Sequence, residues 1–395
     1  MRILFASQPS YSHLVPLVIP AALAAVRAGH DVRVASGPVV TTEITSRGLE
    51  ATVLPHSIPM GQLMADPQVR KKVGFAAAGS RPGKATTDLP PSMFAATFVG
   101  ALGGPFAQDL LKVIDDWKPD LIVRESTEFG SYLAAERRGI AQAAIDITPM
   151  APYADPAVLQ EINEQRVALG LDPVDDPWHP MRNFRAGVVP EAFYRPETRL
   201  PHAHYYRPPV PSDDRPLDPA IAHLPSDRPL VLASLGSNIT HFVGDDGPSI
   251  LDTIVAALAK LPVTAVLALG TGRDPAQWQG ARADNVHLTS FVQQNLMLPA
   301  CDAFITHAGF SGTREALAAG VPMVTLPMFA EQPENAVRIA EIGAGTGFRL
   351  EDVTADSLRT AVEQVLTDPT YRSHARGLQR QMLALPPLEG FLTDL

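Results

Sequence analysis

One cysteine, Cys301, is all the sequence holds. A lone thiol excludes an internal disulfide and fits a reducing compartment. Basic residues are also scarce: 32 Lys and Arg stand against 42 Asp and Glu, a net charge of −10. That balance lacks the basic footprint of a nucleic-acid binder. No uninterrupted apolar run reaches the ~18 residues of a membrane-spanning helix. The apolar run of the N-terminal MRILFAS is four residues, too short for a signal peptide. The expectation is a soluble, cytoplasmic protein with no membrane span and no nucleic-acid partner. Asp-x-Asp triplets are missing too, and no His cluster has metal-ligand spacing. His30, His56, His179, His202, His204, His223, His241 and His287 read as surface or structural.

What is present is a long α/β pattern. The 395 residues suit about two domains at ~150 residues each. With 46% hydrophobic and 19% charged residues, the chain can bury a large core. Apolar runs of strand length occur at 2–7, 30–36, 48–55, 119–125 and 141–147. Helical patterns lie between them at 14–29, 105–117 and 129–139. Strands separated by such helices imply βαβ units and a parallel sheet.

Between 56 and 104 the period is lost. Met60, Met64, Phe75, Met93, Phe94 and Phe98 are scattered there among Gly, Ala and Pro, with Phe106 just beyond. Ordinary loop packing and an apolar ligand wall are both open readings. From 195 to 229 proline and charge dominate, which marks a linker region. A second run of strands follows at 230–236, 263–269, 285–291, 302–306 and 322–326, with a helix at 249–261. The stretch 357–383 also reads as helical. The expected division is a domain over 1–205, a linker over 206–228, a domain over 229–375, and a segment 376–395 packing back on the first domain.

The most informative stretch is FITHAGFSGTREALAAGVPMVTLP, residues 304 to 327. It reads as strand, glycine-bearing turn, helix and strand, with Gly320 and Pro322 stopping the helix. A helix N-terminus presents unpaired N–H groups and roughly half a positive charge. Glycines let a ligand approach the backbone, and hydroxyls add donors. Such a turn suits an anion, phosphate above all. His307, Ser311, Gly312 and Thr313 are the candidate contacts. Glu315, one turn further, would suit a sugar or ribose hydroxyl. The alternative is that the glycines merely allow tight packing and His307 is a core residue. Three other strand ends carry polar groups: SLGSN at 234–238, SFVQQNLML at 290–298, and PMFAEQPENA at 327–336. In an open parallel sheet, ligands bind beyond the carboxyl ends of the strands.

These motifs resemble the bacterial natural-product glycosyltransferases, of antibiotic or macrolide type, within the UDP-glycosyltransferase superfamily. The resemblance implies a GT-B fold: two Rossmann-like α/β domains facing each other across a deep cleft. It implies that His307, Gly309, Ser311, Gly312 and Thr313 hold the diphosphate of a nucleotide sugar, with help from Ser237. Phe291 would stack on the pyrimidine, and the backbone of Val292 would read its edge. Glu331 and Gln332 match the acid–Gln pair that contacts the donor sugar. Ala308 stands where glycine is common, and Gln293 replaces the usual proline.

In the first half, His13 follows the first strand directly, at the mouth of a helix. A neutral imidazole there can act as a general base; a capping or core histidine is the alternative. The resemblance implies the catalytic role, since the family places its base in this loop. It pairs that base with an Asp after the strand matching PDLIV, where this chain has Glu125. Glu128 is the other candidate for the partner.

The implied activity is metal-independent, inverting transfer of a sugar to a hydrophobic natural-product acceptor, with no cofactor beyond the nucleotide-sugar donor. The donor would be TDP-linked, with UDP-glucose second. A nucleotide-sugar epimerase of the same fold and a catalytically silent nucleotide-binding helper are the rival readings. Oligomeric state stays open, a homodimer included.

Overall fold

The computed structural model describes residues 1–73, 90–149, 152–199, 203–209, 216–236, 249–270 and 272–395. They form two compact units. The first comprises the described residues through Pro209 together with Leu385–Leu395; the second ends at Ala384.

The first unit is built on a seven-stranded parallel sheet in the order β3-β2-β1-β4-β5-β6-β7. Its strands are β1 (Arg2–Ala6), β2 (Asp31–Ser36), β3 (Glu50–Val53), β4 (Leu121–Glu125), β5 (Ala141–Ile145), β6 (Phe184–Gly187) and β7 (Ala203–Tyr205). β1 and β4 are neighbours in register Ile3↔Leu121 through Ala6↔Arg124. The helix read over 14–29 is three joined pieces: Tyr11–His13, a π-helical Leu14–Val18 containing Pro16, and Ile19–Arg27. Proline lacks an N–H and cannot extend an α-helical ladder, which fits the wider winding at that point.

One reading of the sequence changes here, and another is filled in. The proline-rich run from 195 carries β7, whose residues pair with β6 from Arg185↔Ala203 to Gly187↔Tyr205. An edge strand tolerates flanking prolines because one side of its ladder is unpaired. In the aperiodic region and just beyond it, Met93, Phe94 and Phe106 are buried. Phe94 packs with Phe98, Phe129 and Tyr153, their ring centroids 4.9 to 6.3 Å from it. These aromatics pack in or against the unit's own core. Phe75 lies outside the described residues.

The second unit holds a six-stranded parallel sheet in the order β10-β9-β8-β11-β12-β13. Its strands are β8 (Leu230–Ser234), β9 (Thr264–Ala268), β10 (Val286–Thr289), β11 (Ala303–Thr306), β12 (Met323–Thr325) and β13 (Gly345–Gly347). The strands alternate with helices, as the apolar runs require. The helix Ile250–Leu258 opens with a reciprocal cap between Ser249 and Asp252 and buries Leu251, Ile254, Val255 and Leu258.

The segment expected to return from 376 does so later. The helix Pro369–Ala384 stays with the second unit, where Gln379 Nε2 donates to the Ala318 carbonyl at 2.9 Å. Only Leu385–Leu395 joins the first unit. There Leu388 and Phe391 are fully buried, and Arg207 exchanges backbone hydrogen bonds with Pro386 (2.7 Å) and Leu388 (2.9 Å).

The helices Gly104–Trp117 and Gly130–Arg138 meet so closely that a Cβ on Gly130 would lie 2.7 Å from both the Gly103 carbonyl oxygen and Phe106 Cβ. Overpacking of this kind costs about 1–3 kcal/mol. Gly130→Ala should therefore lower the urea-unfolding free energy by about that much. Wild-type stability in the variant would show that the helices can separate without cost.

Candidate functional site

The adjacency of β1 and β4 brings together residues 112 positions apart. His13 lies just beyond the carboxyl end of β1, and Glu125 ends β4. His13 Nδ1 is 3.1 Å from Glu125 Oε1. The carboxylate is completely buried and the imidazole is 24% exposed. An ionised carboxylate accepts only, so Nδ1 carries the proton and the basic lone pair resides on Nε2. Burial works to raise the Glu125 pKa. The charge and hydrogen bond of His13, with donors from Thr127, outweigh it and hold the group below its ordinary value.

Glu128, the other candidate, is engaged elsewhere. Its carboxylate accepts from the Ser131 N–H at 2.9 and 3.2 Å, capping the helix Gly130–Arg138. Burial pushes its pKa up to about 7, against the opposing pull of Ser131 and Arg124.

Two neighbours carry no signal in a periodic reading. Arg124, fully buried in β4, donates to the carbonyls of Glu125 (3.3 Å), Ser126 (3.1 Å), Glu128 (3.1 Å) and Pro180 (2.5 Å). Thr127 donates to Glu125 through both its N–H and its hydroxyl. The available clue was a charged residue inside a strand that is otherwise apolar, because a buried arginine must be paid for by partners.

In the second unit the carboxyl ends of β8, β11 and β12 lie side by side, with β10 at the sheet edge. His307 follows β11 and precedes the helix Phe310–Ala319. Its ring is enclosed by glycine backbone. A Cβ on Gly309 would sit 2.4 Å from Nε2, and one on Gly236 3.0 Å from Cε1. Burial pushes the imidazole pKa down to about 4 despite a contrary effect of the Ser234 backbone. Ala308 has a positive φ of 61°, which explains why glycine suits this position. Asn335 Nδ2 donates to its carbonyl at 3.0 Å and fixes the turn.

Gly309 is the helix N-cap and supplies no side-chain cap. Its first N–H, from Phe310, points to Glu331 Oε1 at 3.4 Å. Ser311 is half-buried, and Gly312 lies beneath the turn against Gln294. Thr313 is fully buried, and its hydroxyl has no hydrogen-bond partner among the described residues. Of the four candidate anion contacts, Gly312 and Thr313 are buried, whereas His307 and Ser311 are half-buried. Glu315 accepts from Gln294 Nε2 at 2.7 Å, and burial raises its pKa.

Phe291 is 56% exposed beside the buried Val292, an unusual exposure for a large aromatic. Gln332 is buried, and its Oε1 accepts from the N–H groups of Met328 (2.9 Å) and Phe329 (3.2 Å). That bond shapes the loop after β12 and leaves its amide N–H groups as the part able to meet a ligand. Ser237 lies outside the described residues. Among them, no helix is long and apolar enough to cross a membrane.

Comparison with known proteins bears on both units. Residues 22–158 match the family described as Erythromycin biosynthesis protein CIII-like, N-terminal domain. Residues 220–382 match UDP-glucoronosyl and UDP-glucosyl transferase. The 10-deoxymethynolide desosaminyltransferase of Streptomyces venezuelae is 28% identical, covering 100% of this chain and 96% of that protein. The Aclacinomycin-T 2-deoxy-L-fucose transferase of Streptomyces galilaeus is 26% identical, covering 98% and 93%. The crystal structure of the glycosyltransferase VinC in complex with DTDP superposes with a TM-score of 0.77 at 21% identity, covering 100% of this chain and 98% of that one. The two parallel-sheet units are those of the GT-B fold.

Folding keeps the His307 ring neutral down to about pH 4, whereas a free imidazole takes its proton near 6.5. Its contribution to stability is complete above the unfolded value and is lost as pH falls from there through about 4. Urea midpoints measured across that window should fall with acid, and the fall should shrink in His307→Gln. An unchanged acid dependence in the variant would mean that the ring is not held neutral by the fold.

Proposed function

Because the chain belongs to the UDP-glycosyltransferase superfamily and is a glycosyltransferase, we propose that it acts as an inverting enzyme with His13 as general base. The observation that carries this reading is the 3.1 Å contact between His13 Nδ1 and the buried Glu125 carboxylate. Such a carboxylate fixes the tautomer and stabilises the imidazolium that forms, as in other paired-histidine catalysts.

The step balances simply. Nε2 takes the proton of the acceptor hydroxyl as its oxygen bonds to the anomeric carbon. The bond from that carbon to the diphosphate oxygen breaks, and nucleoside diphosphate leaves. Attack opposite the leaving group inverts the configuration. The turn at His307, Gly309, Ser311 and Gly312 receives the diphosphate, whose growing negative charge the helix N-terminus stabilises. That site needs no metal bridge, in keeping with a chain without Asp-x-Asp. Thr313, whose buried hydroxyl has no partner among the described residues, is a further contact for the diphosphate. Phe291 offers its exposed ring to the base beside the Val292 backbone, Glu331 and the Gln332 amide take sugar hydroxyls, and Glu315 holds Gln294 in place.

A TDP-linked deoxysugar is the preferred donor, with UDP-glucose second. The relative named for 2-deoxy-L-fucose transfer and the neighbour crystallised with DTDP support that order. A hydrophobic natural product is the acceptor.

Calorimetric titration without added metal should give binding of TDP or UDP and none of ADP. His13→Ala should keep that binding and lose transfer by ~10²–10⁴-fold, the usual worth of general-base catalysis. Binding of ADP alone would overturn the nucleotide assignment, and undiminished turnover in His13→Ala the catalytic one.

A further inference from the structure

Glutamate in place of aspartate has one more methylene and one more rotatable bond. A carboxylate on that longer arm can occupy more positions, and a base held by a wandering partner is poorly aimed. The loop after β4 answers this problem with a residue outside the paired groups themselves.

We propose that Thr127 is a positioning residue that clamps Glu125 and so aims His13; the proposal rests on the general-base reading above. Its N–H donates to Glu125 Oε2 at 2.6 Å, and its hydroxyl lies 2.9 Å from Oε2 and 3.1 Å from Oε1. The hydroxyl has one proton to give. With N–H and O–H both directed to Oε2, Oε1 is left to accept from His13. The same hydroxyl oxygen lies 3.5 Å from His13 Nδ1, wedged between ring and carboxylate. Thr127 is 3% exposed and cannot swing away into solvent.

The clamp is itself anchored. One guanidinium nitrogen of Arg124 gathers the carbonyls of Glu125, Ser126 and Glu128, so the loop is tied at three points around Thr127. The second nitrogen ties it to Pro180, in a distant part of the chain. Backbone carbonyls turned toward a buried guanidinium are its charge-assisted acceptors, and the loop conformation follows from that demand. Thr127 thus stands at a fixed place, and it fixes the torsions that the extra methylene would set free.

Thr127→Val keeps the shape and the N–H donor but removes the hydroxyl; Thr127→Ser keeps the hydroxyl. In Thr127→Val, kcat should fall ~10- to 100-fold, within the ~100-fold that a misplacement of ~1 Å can cost. KM for donor and acceptor should hold, and Thr127→Ser should stay near wild type. A reading independent of turnover is the downfield proton resonance of His13 Nδ1–H in its bond to Glu125, assigned by its loss in His13→Ala. That resonance should broaden or vanish in Thr127→Val and persist in Thr127→Ser. An unchanged resonance and unchanged kcat in Thr127→Val would overturn the proposal. So would equal loss of activity and thermal stability in both variants, which would mark a purely structural residue. If the resonance responds as expected while His13→Ala still turns over, the clamp stands and the general-base reading falls.

Discussion

The parallel pairing of β1 with β4 is the contact on which the first unit's chemistry depends. Two strands that are distant in sequence lie side by side, so the loops at their carboxyl ends share one small space. His13 enters it from the first loop and Glu125 from the last residue of β4. A slip of one residue in that register would turn Glu125 to the opposite face of the sheet. The apolar residues Ile3 and Phe5 and their partners Leu121 and Val123, all buried, hold the register. Packing at the middle of the sheet therefore sets polar geometry at its edge.

A second constraint is the burial of charge. Arg124, Glu125 and Glu128 lie within five residues of one another and all are buried. Isolated buried charges are costly, and these are tolerated because each is met by donors or acceptors of the same short loop. A comparable arrangement lies next to it. Asp146 at the end of β5 accepts from Arg185 Nε at 2.8 Å and from the Tyr194 hydroxyl at 2.9 Å. The carboxyl ends of the central strands thus carry buried charged groups held by hydrogen bonds, with Arg124 Nε left without a partner among the described residues. The corresponding strand end of the second unit is built differently: glycines, a positive φ at Ala308, and a helix N-terminus without a side-chain cap.

Much of this was legible from residues alone. Apolar runs marked most strands because parallel strands are buried on both faces and need no alternation. β6, β7 and β13 escaped because Phe184–Gly187, Ala203–Tyr205 and Gly345–Gly347 are short and include three glycines, Gly187, Gly345 and Gly347. The strand–turn–helix at His307 was legible from its glycines and helix formers. The choice of Glu125 over Glu128 came from its place after the strand PDLIV in the resemblance, and the fold sets Glu125, not Glu128, against His13. Thr127 was invisible: a threonine two residues past an acid is common in turns, and its value lies in what the acid does. The apolar residues of 56–104 left loop packing and ligand wall both open, and Phe94 packs among aromatics in the core.

The path of the chain also has a consequence for how the molecule is made. A ribosome delivers the first unit's sheet early, then the whole second unit, and only afterwards Leu385–Leu395. Yet those late residues supply Leu388 and Phe391 to the first unit's interior, and Asp394 receives the Tyr206 hydroxyl at 2.5 Å. Until they arrive, apolar surface on the early unit stays uncovered, a state open to chaperones and to misassociation. Vectorial synthesis thus completes the second unit before the first, although the first is begun earlier. A chain cut before Leu385 would therefore leave the oldest part of the first unit without the cover of Leu388 and Phe391.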